Sequence, residues 1–371
     1  MRVLLLSCNT GQGHNSAAQA MQEAFGAEGH TCKMENALLF ISKVHDDIIC
    51  DGHVFIYKNL PKLFGVGYRF EEQHEPKFMQ SQLKLGYKKF AEYLNNNSYD
   101  VIVCTHVFAS ILVNEYKKKS GNTIPCAFIS TDYTCHPGAA EGKSDMYFIP
   151  HPALISEFVS AGVDENKIFP LGIPVSNKFV GEGSKSEARS ELELPQDKKI
   201  ILVGGGSMGC GPIVKLADLL SEKLSEDGIV IVACGSNERL WEKIARLEQP
   251  NVLPLPYTKK MHLYLEAADL FLTKAGGLST TEAIIKGTPL LYINAVPGCE
   301  TRNIDFMTQQ GYASAAFSPE EATDLALEIL SESSQAKDAI LRCQELLPKD
   351  PAAAICACVS ERIAKKETIN V

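Results

Sequence analysis

The sequence predicts an α/β fold with two doubly wound domains, each built on a mostly parallel sheet. Short β-rich apolar runs alternate with stretches of helical spacing, which is typical of parallel strands covered by helices. A strand followed by a Gly-rich loop and a helix occurs near the start and again near residue 200. The chain has 371 residues, more than one core usually accommodates, so two domains are expected.

The first predicted domain covers residues 1–172. Its opening apolar run is too short for a signal peptide and leads directly into a Gly-rich turn, which indicates a first core strand. The predicted strands are residues 2–8, 101–107, 126–131 and 146–150, and the predicted helices are residues 16–27 and 153–161.

The second predicted domain covers residues 173–350, after a hinge near residues 172–175. A final helix within residues 351–371 is expected to pack back on the first domain. Since doubly wound sheets bind ligands at the carboxyl ends of their strands, we expect the two domains to face each other across a cleft. Its predicted strands are residues 199–203, 229–234, 252–255, 270–273 and 289–294, and its first helix is residues 212–224.

Composition excludes several classes of protein. The net charge is −9 and no basic run studded with aromatic residues is present, which argues against nucleic-acid binding. The twelve cysteines include no Cys-x-x-Cys pair, so we expect buried thiols in a reduced cytoplasmic chain rather than disulfides or zinc ligands. No apolar run approaches the ~20 residues that span a bilayer.

Aromatic and basic residues occur together in residues 46–89. One interpretation is a helical insertion with a solvated basic face. The other is a surface that enters the membrane interface, where such residues are favoured.

The loop over residues 9–14, Asn-Thr-Gly-Gln-Gly-His, lies between a predicted strand and helix. Its glycines allow close approach of a ligand to the backbone, and the helix N-terminus favours anions. Ser16 occupies the third glycine position of a dinucleotide fingerprint, so that motif is absent. His14 could serve as a general base, but its spacing alone favours a structural histidine.

Three later loops also connect strands to helices. Residues 204–209 (Gly-Gly-Gly-Ser-Met-Gly) could form a backbone nest for phosphate, although no Gly-Lys-Ser/Thr follows as in a P-loop. Residues 274–282 (Lys-Ala-Gly-Gly-Leu-Ser-Thr-Thr-Glu) offer N–H groups and hydroxyls at a helix start. Glu282 could stabilise the helix dipole or bind ribose hydroxyls. Glu300 and Asn303, which share one helix face, could cap that helix or bind sugar hydroxyls.

These pieces in this order resemble the diacylglycerol glycosyltransferases of glycosyltransferase family 28. That group contains the monogalactosyldiacylglycerol synthases and the processive diacylglycerol glucosyltransferases. The resemblance rests on Gly-x-Gly-His, a late Gly-Gly-x-Ser/Thr-x-x-Glu and a following Pro-Gly-x-Glu-x-x-Asn, and it extends over residues 2–310. It implies a GT-B fold and a UDP-hexose donor.

The resemblance also implies roles for individual residues. His14 would act on the acceptor hydroxyl, and Asp132 would be the second ionisable group beside it. The implied donor site includes Gly13, and its residues at the diphosphate are Ser207, Met208 and Gly209, with Gly276, Gly277, Ser279 and Thr280 completing the phosphate site. Glu282 would bind the ribose, and the uracil would face Tyr257, Thr258 and Met261. The donor sugar would contact Glu300 and Asn303.

The implied reaction inverts the anomeric carbon of glucose or galactose on transfer from the UDP-sugar to diacylglycerol. It requires no cofactor, and the absence of any Asp-x-Asp triplet argues against a metal-held donor. The enzyme would lie at the cytosolic membrane face. Alternatives are a UDP-sugar 2-epimerase or hydrolase of the same fold, a transferase acting on a peptidoglycan lipid precursor, and a non-catalytic UDP-sugar sensor.

Overall fold

The computed structural model describes residues 1–9, 12–41, 77–181, 183–206, 211–293 and 298–369. The chain divides into two compact units. The first comprises Met1–Asn177, Pro297–Cys299 and Leu347–Val371, and the second comprises Lys178–Val296 and Glu300–Leu346.

The first unit contains a six-stranded parallel sheet in the order β2-β1-β3-β4-β5-β6. Strand β1 lies between β2 and β3, so the strand order changes direction at β1. Leu6 pairs with Cys104 in the β1–β3 register, which brings the loops after both strands to the same edge. The strands are β1 (Arg2–Ser7), β2 (Thr31–Asn36), β3 (Val101–Cys104), β4 (Cys126–Ile129), β5 (Met146–Phe148) and β6 (Ile168–Phe169).

The second unit contains another six-stranded parallel sheet, in the order β12-β11-β10-β7-β8-β9. Here the order changes direction between β7 and β10, where Gly204 pairs with Thr273. The strands are β7 (Lys199–Gly204), β8 (Gly228–Gly235), β9 (Val252–Pro256), β10 (Leu270–Thr273), β11 (Leu290–Ile293) and β12 (Ser314–Ala316).

Helices connect the strands in both units, as parallel pairing requires. Short 3₁₀ turns lie at residues 140–142, 152–154, 165–167 and 225–227. The α-helices are α1 (Gln12–Ala27), α2 (Leu38–Ile41), α3 (Lys77–Asn96), α4 (Val107–Ser120), α5 (Ile155–Ser160), α6 (Asn177–Val180), α7 (Lys185–Glu191), α8 (Ile213–Leu224), α9 (Glu238–Ala245), α10 (Met261–Ala267), α11 (Gly277–Lys286), α12 (Cys299–Gln309), α13 (Pro319–Ser331), α14 (Ser333–Gln344) and α15 (Pro351–Ile369).

The final helix α15 packs on the core of the first unit. Ile355 and Val359 are fully buried in one cluster with Val3 and Leu5 of β1 and Phe25 of α1. Burying an aliphatic side chain of this size contributes about 1.5–3 kcal/mol, so this contact fixes α15 to the unit in which the chain begins.

A buried arginine organises the start of the second unit. Arg189 of α7 is 4% exposed, and its guanidinium donates hydrogen bonds to the carbonyls of Ala267 and Gln196 and to the carboxylate of Asp269. Asp269 also accepts from the backbone N–H of Ile200 at the start of β7. The pair therefore ties the segment before the sheet to β7 and β10.

The predicted α/β class with two doubly wound parallel sheets is confirmed. Three strands were not predicted, namely β2, β6 and β12, and all three lie at sheet edges. Strand β2 has no fully buried position, and β6 and β12 are only two and three residues long, so none produces an apolar run.

Candidate active site

His14 lies in the first turn of α1, at the carboxyl edge of the first sheet. Its Nδ1 is 2.9 Å from the carbonyl oxygen of Thr105, which directly follows β3. The Thr105 hydroxyl donates in return to the carbonyl of His14 at 3.0 Å. The change of strand order at β1 places these two residues beside each other, as expected for the ligand-binding edge of a doubly wound sheet.

These contacts determine the tautomer of the imidazole. A carbonyl oxygen can only accept, so Nδ1 of His14 must carry the proton and donate it to Thr105. The Thr131 hydroxyl oxygen, 2.9 Å from the same nitrogen, is then a second acceptor for that N–H. The neutral ring therefore has its lone pair on Nε2, the nitrogen that can accept a proton from a substrate hydroxyl.

Burial lowers the pKa of His14 below its usual 6.5, while the negative charge of Asp132 and the hydrogen bond to Thr105 act in the opposite direction. The neutral, proton-accepting form therefore persists to lower pH than in an exposed histidine. Asp132 was predicted as the second ionisable group on this side. The negative charge of Asp132 favours the protonated ring by raising the pKa of His14, and the Thr105 carbonyl orients the ring.

Three further histidines of this unit have the opposite tautomer. In His106, His136 and His151 the Nδ1 atom accepts a hydrogen bond from the backbone N–H two residues later, at 3.1 Å in each case. Each neutral ring must therefore carry its proton on Nε2. The His106 ring lies edge to face with His14, with 4.5 Å between centroids. Burial and the neighbouring His14 lower the pKa of His136 to about 4. Among these four rings, His14 is the one with a basic Nε2.

In the second unit, the predicted phosphate site lies in the loop between β10 and α11. Helix α11 begins at Gly277, and its N-cap Gly276 has no side chain that could accept a hydrogen bond from the terminal N–H groups. The N-terminus thus presents backbone donors together with the positive end of the helix dipole. Gly276 and Ser279 are partly exposed here, whereas Gly277 is buried.

Glu282 lies one turn into α11, where desolvation raises the pKa of its carboxyl to about 8. Within the residues that the structure describes, it forms neither a hydrogen bond nor an ion pair. A desolvated carboxyl without a protein partner is suited to accept hydrogen bonds from ligand hydroxyls. This placement agrees with the interpretation of Glu282 as a ribose ligand, which stays a prediction.

Two residues that were predicted to contact the donor are fully buried in the protein. Thr280 is fully buried, and its hydroxyl oxygen is 2.9 Å from that of Tyr292. Asn303 is also fully buried, and its amide donates to the carbonyl of Ala275 at 2.8 Å. Helical phase explains Thr280, because it falls on the core face of α11 while Ser279 and Glu282 do not. Thr280 is thus bonded to β11 and Asn303 to the loop before α11, and their contact with the donor stays a prediction.

The remaining predicted donor residues differ in position and in exposure to solvent. Gly13 lies in the first turn of α1, in the first unit, and is partly exposed. Tyr257, after β9, is 72% exposed, and the Thr258 hydroxyl accepts from the N–H of Lys260 at 3.0 Å. Met261 begins α10. Ser207, Met208 and Gly209 lie outside the described residues, as does most of the predicted membrane-facing region, residues 46–89.

Sequence reasoning assigned no role to Lys274, although the structure places it within the site. Its Nζ is 2.6 Å from Oε1 of Glu300, and both side chains are mostly buried. The sequence feature that could have identified Lys274 is a lysine in a Gly-rich loop between a strand and a helix. Glu300 was predicted to contact the donor sugar, and in the structure it holds this ammonium.

No three His, Cys, Asp or Glu side chains among the described residues are grouped so that they could hold a metal ion. None of the described helices combines the length and apolarity needed to cross a bilayer.

Comparison with known proteins connects both units to transferases. The family model described as monogalactosyldiacylglycerol (MGDG) synthase matches residues 14–175, and the glycosyltransferase family 28 C-terminal domain matches residues 200–317. The processive diacylglycerol beta-glucosyltransferase of Bacillus pumilus is 27% identical, covering 84% of this chain and 82% of the relative. The protein of the same name from Staphylococcus carnosus is 25% identical, covering 96% and 91%.

Solved structures agree on the fold. Acinetobacter baumannii MurG superimposes with a TM-score of 0.65 at 14% identity, covering 97% of this chain and 99% of that one. The glycotransferase of kitacinnamycin has a TM-score of 0.68 at 15% identity, covering 98% of both. The implied GT-B assignment of the fold is therefore confirmed.

The charge of Asp132 should be measurable in the titration of His14. Because that charge raises the pKa of His14, Asp132→Asn should lower it, so that the ring stays neutral to still more acidic pH. NMR titration of the histidine ring signals checks this. Asp164→Asn is a matched control, because asparagine keeps the cap that Asp164 provides to Asn166 while removing a carboxylate elsewhere in the same unit. A His14 pKa that rises or stays constant in Asp132→Asn would contradict the assignment.

Proposed function

We propose that this chain, whose matches lie in the diacylglycerol glycosyltransferase branch of glycosyltransferase family 28, transfers a hexose from a UDP-sugar to diacylglycerol. The observation that carries the proposal is the fixed tautomer of His14, which leaves Nε2 as the basic nitrogen. The match to the MGDG synthase model begins at this residue. The matched relatives are named for transfer of glucose to diacylglycerol, which supports the same acceptor here.

In the proposed reaction, Nε2 of His14 accepts the proton of the acceptor hydroxyl. The acceptor oxygen then forms a bond to the anomeric carbon while the bond from that carbon to the diphosphate breaks. The electron pair leaves with UDP, and the configuration at the anomeric carbon inverts. Protonation charges the imidazole, and Asp132 stabilises that charge.

The leaving diphosphate gains negative charge as its bond to the sugar breaks. The N-terminus of α11, with its uncapped backbone N–H groups after Gly276, is suited to stabilise that charge without reorganisation. Glu282, further along the same helix, would accept hydrogen bonds from the ribose. In this proposal, the donor lies along the first turns of α11.

A basic surface on the first unit supports action at a membrane. Lys88 and Lys89 of α3 are exposed, and the ammonium of Lys119 in α4 lies 4.7 Å from the centroid of the Tyr87 ring. Lysines beside aromatic rings are favoured at anionic lipid interfaces. We therefore propose that these helices face the cytosolic leaflet in which the acceptor lies.

The proposal is tested with the complete chain on vesicles of phosphatidylcholine, phosphatidylglycerol and diacylglycerol. Radiolabelled UDP-glucose and UDP-galactose are supplied separately, and the lipid extract is analysed. We expect a β-linked glycolipid from one of the donors, since inversion of an α-linked donor gives a β product. Absence of glycolipid with both donors would refute the acceptor. Consumption of donor without a lipid product would instead favour the epimerase or hydrolase alternative.

Replacing His14 should separate catalysis from donor binding. His14→Ala removes the proton acceptor, so turnover should fall by at least about 10²-fold, while UDP affinity should stay within about twofold. Steady-state assays and calorimetry measure the two quantities. His151→Asn is the control, because it removes another buried imidazole but keeps an acceptor for the N–H of Ala153. Undiminished turnover in His14→Ala would remove the residue from the mechanism.

Donor binding should release a proton from Glu282. Its pKa of about 8 leaves it mostly protonated at pH 7, and hydrogen bonds from ribose hydroxyls favour the charged form. Affinity for UDP-glucose should therefore rise with pH from about 6 to about 8. Calorimetry in buffers of different ionisation enthalpy counts the released protons, and UDP-glucose is chosen because its diphosphate does not titrate near neutrality. Equal proton release by Glu282→Gln and the wild type would refute the assignment.

A further inference from the structure

Lys274 lies directly against the backbone of the Gly-rich loop that follows β7. Thr273 pairs with Gly204 across the β7–β10 register, so the residues after each strand come together. Gly206 has a φ of +71°, and a Cβ built on it would lie 2.3 Å from Cε of Lys274 and 3.4 Å from Nζ. The backbone conformation of Gly206 therefore favours glycine, and a Cβ at this position would displace the end of the Lys274 side chain.

Glu300 holds the same ammonium from the other side. Its Oε1 lies 2.6 Å from Nζ of Lys274, and the two side chains are 11% and 23% exposed. This contact fixes the end of a flexible side chain. The charge is therefore held at one place instead of being spread over many rotamers.

The position of this charge coincides with other features suited to an anion. Helix α11 begins three residues after Lys274, with no side-chain cap on its N-terminus. The carbonyl of Ala275, in between, is held by the amide of Asn303, and the N–H of Gly276 donates to the carbonyl of Lys274 at 2.8 Å. The lysine and the helix N-terminus thus belong to one fixed loop.

Stability alone does not explain a buried Lys–Glu pair. Removing two charges from water is costly, and well-packed apolar side chains of similar volume often serve at least as well. A buried ammonium beside a glycine backbone and a helix N-terminus does suit a ligand that carries more than one negative charge.

We propose that Lys274 is a further donor-site residue whose ammonium, positioned by Glu300 against Gly206, binds the diphosphate of the nucleotide donor. This inference rests on the function proposed above. When the bond between the anomeric carbon and the diphosphate oxygen breaks, the electron pair stays on that oxygen, and Lys274 stabilises the charge by hydrogen bonding without giving up its proton. Glu300 is then a positioning residue, acting through Lys274.

The chain provides a matched control in Lys286, the last residue of α11. Its Nζ lies 2.7 Å from Oε2 of Glu266, and these side chains are 5% and 11% exposed. Lys286→Met therefore breaks a Lys–Glu pair that is at least as buried, in the same unit and at the opposite end of the helix from the proposed site. Any general effect of breaking such a pair should appear in both variants.

The test compares wild type, Lys274→Met, Lys274→Arg and Lys286→Met in their affinity for UDP and for uridine, using calorimetry for UDP and NMR titration for uridine. Lys274→Met should weaken UDP binding by about tenfold or more and leave uridine within about twofold, since a charge-assisted hydrogen bond to phosphate is lost. Lys274→Arg should restore part of the UDP affinity. Lys286→Met should lower the unfolding midpoint while keeping both affinities.

Two results would overturn the inference. One is UDP binding by Lys274→Met that equals that of the wild type. The other is an equal loss of UDP and uridine affinity, which indicates a structural role; if Lys274→Met does not fold, Lys274→Gln replaces it in the same comparison. Failure of the wild type to bind UDP would be a different result, because it refutes the proposed donor class itself.

Discussion

Each sheet of this protein changes its strand order once, and the arrangement of both candidate sites depends on that constraint. Parallel strands end at the same edge, and at a change of order the loops from two neighbouring strands diverge and leave room between them. At the β1–β3 junction this brings Thr105 to His14. At the β7–β10 junction it brings Gly206 to Lys274. Hydrogen bonding within the sheets thus fixes distances between residues far apart in the chain.

In the first unit, the backbone determines the chemistry of the histidines. A main-chain carbonyl orients His14, and main-chain N–H groups orient His106, His136 and His151 in the opposite sense. Because backbone groups have fixed donor and acceptor character, the tautomers follow from the fold rather than from the protonation of other side chains. The position of each histidine in the fold therefore determines which of its ring nitrogens is basic.

In the second unit, buried charges are distributed according to the function of each region. Arg189 and Asp269 join the first segment of the unit to its sheet, where their hydrogen bonds are satisfied within the protein. At the ligand edge, Lys274 is held by Glu300, and Glu282 lies desolvated along α11. The first arrangement stabilises the fold, and the second places charged groups at the proposed donor site.

The sequence by itself determined the α/β class, the two doubly wound sheets and the loops that carry the candidate residues, because buried central strands and Gly-rich loops leave strong local patterns. It did not predict the edge strands β2, β6 and β12, whose short or half-exposed runs lack such a pattern. Only the tertiary structure decided that Thr280 and Asn303 are buried, that Thr105 orients His14, and that Lys274 pairs with Glu300 beside Gly206. These depend on helical phase and on contacts between distant segments, which residue spacing along one chain does not specify.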